Sequence, residues 1–194
     1  MTLYFKDIEL ERIIIEHPKL MVLGWLFLNV LYCCVSFLLR RLYKKKGWDD
    51  SRSVTKITKK SLLRFLVWLV FGVVVLVGCG QKYSQGKMTI NAYSDYVGAF
   101  YFLIIGYLLT VVQSFIKYLF CWRKMSEMNF TSSKESSILH SIDFFGYSAF
   151  VLLCFLVSGN RFLLGGAWGL AIGAVILLVD MSDERVGDKC GKSE

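Results

Sequence analysis

At 194 residues, with 55% hydrophobic residues, 15% aromatic residues, one proline and a mean hydropathy of +0.51, the chain is too apolar for a water-soluble domain of its size. Its formal charge of +8 is concentrated: Arg40 to Arg64 holds ten basic residues against Asp49 and Asp50, and the rest of the chain sums to zero. Composition therefore excludes a soluble domain and indicates a basic, multi-span membrane protein.

Residues 3–16 mix apolar and charged side chains at roughly helical spacing, which predicts an interfacial helix leading to Pro18. A sensor or oligomer contact on the outer face is the sharper alternative for the same segment. The first residues lack a basic start and a compact apolar core, so no cleavable signal peptide is expected. A bilayer core is about 30 Å thick and needs roughly 20 apolar residues to cross. Residues 20–39 and 97–116 each run without a charge, and 62–79 contains only Arg64, which at a span end can snorkel to the interface. The long apolar stretch from Phe144 to Val179 is broken by Ser158, Gly159, Asn160 and Arg161, which predicts a helical hairpin with arms 140–157 and 162–179. The expected fold is all-α, a single membrane domain over 1–194 with five spans, or four if the final hairpin is re-entrant or its first arm lies on the surface. Short helical extensions should carry the first span through Tyr43 and the third through 117–128. Residues 129–137 read as a flexible connector, and the polar tail 180–194 as unstructured.

The charge excess orients these spans. By the positive-inside rule the basic loop 40–64 and the second loop 117–139, with Lys117, Arg123, Lys124 and Lys134, face the cytosol, and the loop 81–96 faces out. With five spans the N-terminus then lies outside and the C-terminus inside.

Few residue patterns suggest chemistry. Gly165, Gly169 and Gly173 recur every four residues in the last span and clear a strip for close helix contact, either within the chain or between subunits. The six cysteines form no CxxC pair and read as apolar fillers; with only His17 and His140 beside them, no metal-site spacing arises. Leu76-Val77-Gly78-Cys79 has the form of a lipoprotein cleavage box but follows a first span. His140 and Asp143 are spaced to pair on one helix face. Asn29, Thr110 and Gln113 are neutral polar groups within spans, suited to bonds between helices or to lining a narrow channel. The usual hydrolase, zincin, P-loop and dinucleotide motifs do not occur, and no catalytic, cofactor or metal residue is predicted. The chain reads as a non-enzyme. Its candidate site is the basic segment, with Arg40, Arg41, Lys44, Lys45, Lys46, Arg52, Lys56, Lys59, Lys60 and Arg64 available to hold anionic lipid or dock an acidic protein. Direct contact with DNA phosphates is the weaker alternative for this segment. Tyr43 and Trp48 are too sparse for a single-strand stacking platform, partner docking leads, and no direct nucleic-acid binding is expected.

In size, multiple spans and basic cytosolic face the layout resembles the membrane subunit (KwaA) of the Kiwa bacterial antiphage defence system. That resemblance implies an inner-membrane scaffold that forms homo-oligomers, senses phage-induced envelope disturbance and tethers a cytosolic DNA-binding subunit. It carries over no individual functional residue. The chain is also similar to immunity proteins against pore-forming toxins, which act through their spans and outer half. A small channel or membrane-disrupting effector is the third alternative, and it would use Asn29, Thr110 or Gln113 to line a path.

Overall fold

The computed structural model describes residues 16–45, 59–120 and 133–190. They form five helices, α1 (Pro18–Lys45), α2 (Lys59–Ser84), α3 (Ile90–Phe120), α4 (Ser133–Ser158) and α5 (Arg161–Cys190), with no strand among the described residues. Each helix contains a segment long and apolar enough to cross a bilayer: Pro18–Leu39, Phe65–Ser84, Ile90–Gln113, His140–Ser158 and Arg161–Val179. The fold is thus all-α and multi-pass. Hydrocarbon offers no partner for a free N–H or C=O, and a helix satisfies both within its own segment.

The helix ends follow from local residues. Pro18 opens α1, where its missing N–H costs nothing, and the His17 carbonyl accepts from Leu20 N at 2.9 Å. Gly86, at φ 69°, ends α2: Gly86 N donates to Tyr83 O and Lys87 N to Lys82 O, both at 2.9 Å, the paired bonds of a Schellman turn. Thr89 then caps α3, its Oγ1 accepting from Ala92 N at 3.3 Å. Gly159, at φ 72°, closes α4, and the buried Asn160 caps α5 by accepting from Phe162 N at 2.9 Å. The predicted turn at 158–161 is therefore a two-residue connection between α4 and α5.

Three boundaries differ from expectation. The connection between α2 and α3, expected over 81–96, spans only 85–89, because the Gly86 turn and the Thr89 cap let α2 and α3 extend further than hydropathy alone implies. Ser133 to Ser137, read as connector, form the first turn and more of α4. Asp180 to Cys190, read as unstructured, continue α5. The proposed interfacial helix at 3–16 lies outside the described residues except for Glu16, as do 46–58 and 121–132.

The central element is α3. On one side it buries Tyr93, Val97 and Ile104 against Trp25 of α1 and Leu76 and Cys79 of α2. On the other, Leu103 joins Phe144 and Val151 of α4 and Ala167, Leu170 and Ala174 of α5 in a second core. The most extensive contacts are those of α5 with α3 and with α4.

Candidate functional site at the basic end of the bundle

Of the ten basic residues singled out in the sequence, Arg40, Arg41, Lys44 and Lys45 close α1, and Lys59, Lys60 and Arg64 open α2. Lys46, Arg52 and Lys56 lie outside the described residues. Contacts between α1 and α2 set them antiparallel and in register. A β-carbon at Gly80 would touch Pro18, one at Gly72 would enter the Trp25 indole, and Trp68 Nε1 donates to Asn29 Oδ1 at 3.3 Å. Each pair sums to nearly the same number, so continuing the register sets Leu38 level with Lys59, and the helix runs about 10 Å further to Lys45 at 1.5 Å per residue. The seven described basic positions therefore lie towards one end of one helix pair, each outside the apolar span of its own helix, with Lys59, Lys60 and Arg64 level with the last turns of the α1 span. Arg41 is exposed. Cations at the C-terminal end of α1 complement the helix dipole, whereas Lys59 and Lys60 oppose it in the first turn of α2, where no acid accompanies them.

The glycine strip is seated within the chain. A β-carbon at Gly165 would collide with the carbonyl of Asp95 and one at Gly169 with that of Ala99, while Gly173 faces Leu103 and the Phe144 ring. The constant offset shows that α3 and α5 run parallel, strip against strip. From α3, Gly98 returns the same close approach to the Phe162 carbonyl of α5. Such backbone approach supplies dispersion where lipid removes the hydrophobic drive. Phe144, fully buried, wedges between Gly106, Leu170 and Gly173 and ties α4 to the same interface. Ser148 adds a bond from its Oγ to Ala167 O at 2.7 Å.

The neutral polar groups singled out within the spans, Asn29, Thr110 and Gln113, are engaged. Asn29, 1% exposed, donates to Trp25 O at 2.8 Å and accepts from Trp68. Gln113 bonds the Tyr147 hydroxyl, joining α3 to α4, and Thr110 Oγ1 donates to Tyr107 O at 2.8 Å on its own helix. His140 Nδ1 lies 3.8 Å from Asp143 Oδ2, the predicted i,i+3 pairing. The free cysteines Cys33, Cys34, Cys79 and Cys154 form no disulfide, and no group of three His, Cys, Asp or Glu gathers among the described residues.

One pairing escaped the sequence. Arg161 Nη2 donates to Asp95 Oδ2 at 2.8 Å, linking the first turns of α5 and α3 at the end opposite the basic cluster. By hydropathy alone Asp95 belongs to the loop 81–96, so its position on a parallel neighbour of α5 is not visible in the sequence. The available signal was one acid and one base lying near the starts of two glycine-containing spans.

No family model matches this sequence, and comparisons with curated proteins and with solved structures likewise return no match.

Proposed function

We propose that the protein is a non-enzymatic scaffold of the bacterial inner membrane, with its C-terminus cytosolic, and that the basic end of α1 and α2 recruits an acidic surface of a cytosolic partner. In the setting that its layout suggests, antiphage defence, the partner is a DNA-binding subunit and the scaffold works as a homo-oligomer that senses envelope disturbance. The observation that carries this reading is the concentration of Arg40, Arg41, Lys44, Lys45, Lys59, Lys60 and Arg64 at one end of an antiparallel helix pair. Two of these cations, Lys59 and Lys60, oppose the dipole in the first turn of the helix that bears them, so their placement is better explained by an external anion than by helix stability. Anionic headgroups compete for the same surface, at about 1 kcal/mol per lysine near a charged membrane.

The arrangement of the interior polar groups favours a scaffold over a channel. Asn29 and Gln113 spend their hydrogen bonds on helix contacts, and Asn29 is closed off between α1 and α2. A conducting path would have to break those bonds.

The test replaces Lys44, Lys45, Lys46, Lys59 and Lys60 by Gln and leaves Arg40, Arg41 and Arg64 to hold topology, which fusion reporters at both termini check. Affinity purification from the native host in mild detergent should then recover at least about tenfold less soluble partner, a loss of roughly 1.4 kcal/mol. Undiminished recovery by correctly inserted protein would remove this end of the molecule as the docking site.

A further inference from the structure

At the end of the bundle opposite the basic cluster, α2 and α3 leave a groove of ≈ 260 Å³ open to the membrane side, lined by Val74, Val75, Gly78, Met88 and Tyr96 with Lys82 at its mouth. Gly78 creates the opening, since a β-carbon there would meet nothing within 4 Å. Behind it the wall is firm, because Tyr83 and Tyr93 stack with centroids 5.1 Å apart and Cys79 is buried.

The groove's position matches one leaflet of a bilayer. Val74 sits midway along the span Phe65–Ser84, and Lys82 lies in the last turn of the same helix. The distance between them along α2 is about 12 Å at 1.5 Å per residue. Half of a hydrocarbon core is about 15 Å. The groove therefore runs from near the bilayer midplane to headgroup level, apolar along its length and cationic at its end. Lys87 supplies a second cation at this end: the Schellman turn bonds Lys87 N to Lys82 O at 2.9 Å, which sets the two backbones side by side, and its neighbour Met88 lines the groove with Lys82. Both lysines are exposed, and neither has an acidic partner among the described residues, Asp95 being held by Arg161.

We propose that this groove is a binding site for one anionic phospholipid, with an acyl chain lying along Val74, Gly78 and Met88 and the headgroup phosphate between Lys82 and Lys87. A chain alone would leave two neighbouring ammonium groups uncompensated, and a free phosphate would leave the apolar wall unfilled. The lipid satisfies both at once.

Native mass spectrometry of the full-length protein in mild detergent, mixed with phosphatidylglycerol or with phosphatidylcholine of the same chains, tests the site. The basic residues at the other end stay intact in every variant, so any lipid they hold is a common background. One phosphatidylglycerol should be retained in preference to phosphatidylcholine. Its retention should fall about fivefold for each lysine changed in Lys82→Gln and Lys87→Gln, persist in Lys82→Arg, and fall in Gly78→Leu, which fills the groove. Soluble glycerophosphoglycerol and inorganic phosphate should not displace it. Equal retention of the two lipids, unchanged retention in the double glutamine variant, or displacement by glycerophosphoglycerol would each overturn the proposal.

Discussion

The two flanks of α3 are built by different means. Towards α5, glycine is set against backbone, with Gly98, Gly165 and Gly169 each facing a carbonyl of the other helix. Towards α1 and α2 the contact is made by large side chains: Trp68 stacks on Phe100 at 5.4 Å, Trp25 meets both rings edge-on, and Trp25 Nε1 donates to Phe100 O at 3.1 Å. In the apolar windows of α3 and α5, 39% of residues are buried, against 17% for α1 and 22% for α2. Water does not drive apolar helices together inside a bilayer, so fine packing decides how firmly two helices hold. The α3–α5 pair has that packing along its glycine strip, and α4, whose window is 17% buried like that of α1, joins it through Phe144 and Ser148. The α1–α2 pair is fixed at a few aromatic and polar points and turns most of its apolar surface, including Leu23, Phe27, Val67 and Val70, outward to lipid. The basic cluster is carried by the less tightly packed pair.

The largest blow to this contrast is Gly169→Leu. The new side chain must displace the Ala99 backbone, and no rotamer avoids that because the conflict begins at Cβ. The expected cost is about 3 kcal/mol or more, read as a lower midpoint for unfolding of the purified protein in mixed micelles. Gly78→Leu, which enters open space in the looser half, should leave that midpoint nearly unchanged. Because the strip is already filled by α3, the defect should appear in the protomer itself. An unchanged midpoint accompanied by loss of oligomer crosslinking would instead make the strip a contact between subunits.

A smaller effect is expected at the α3–α5 entrance. Arg161→Ala removes the 2.8 Å contact and leaves Asp95 in a partly buried site whose Oδ1 already has no hydrogen-bond partner among the described residues. Side-chain exposures of 40% and 28% keep the pair partly in contact with its surroundings, so the loss should be about 1.5 kcal/mol, below that of a fully buried pair. A double-mutant cycle with Asp95→Asn checks it. Additive losses would mean that the two groups contribute separately and that the backbone packing beneath them holds the entrance unaided.

The sequence made the spans legible because hydropathy, charge and the Ser158–Gly159–Asn160 turn are local signals. The Gly165, Gly169 and Gly173 spacing also announced a close helix contact, yet it could not name the partner helix, since a small strip fits any backbone that approaches in the right register. The extra turns at the ends of α2 and α3 were missed because they rest on capping: Gly86 and Thr89 keep polar residues such as Gln81 and Asp95 helical where hydropathy alone would end the span. For the same reason the Asp95–Arg161 pair and the lipid groove beside Lys82 stayed hidden. Both require knowing which helix lies against which. The basic site was visible as a charge run, but its gathering at one end of a helix pair depends on the register between Trp25 and Gly72.

The finest probe of the looser half is Asn29→Leu. It removes a bond to Trp25 O and the acceptor for Trp68 Nε1 while keeping an apolar side chain of similar size between α1 and α2. Interhelical hydrogen bonds in membranes average about 0.6 kcal/mol, so overall stability should fall by roughly that amount for each bond between helices. Distances between spin labels on α1 and α3 should broaden in this variant, and those between α3 and α5 should stay narrow. Equal broadening in both would show that the two flanks respond as one body, against the division drawn from their packing. If only α1 and α2 loosen, partner recovery by the intact basic end tests what docking requires. Unchanged recovery would assign recruitment to charge alone. A reduction of the size seen on neutralising the lysines would mean that the partner also reads the spacing of the two helix ends, which Asn29 holds from within the membrane.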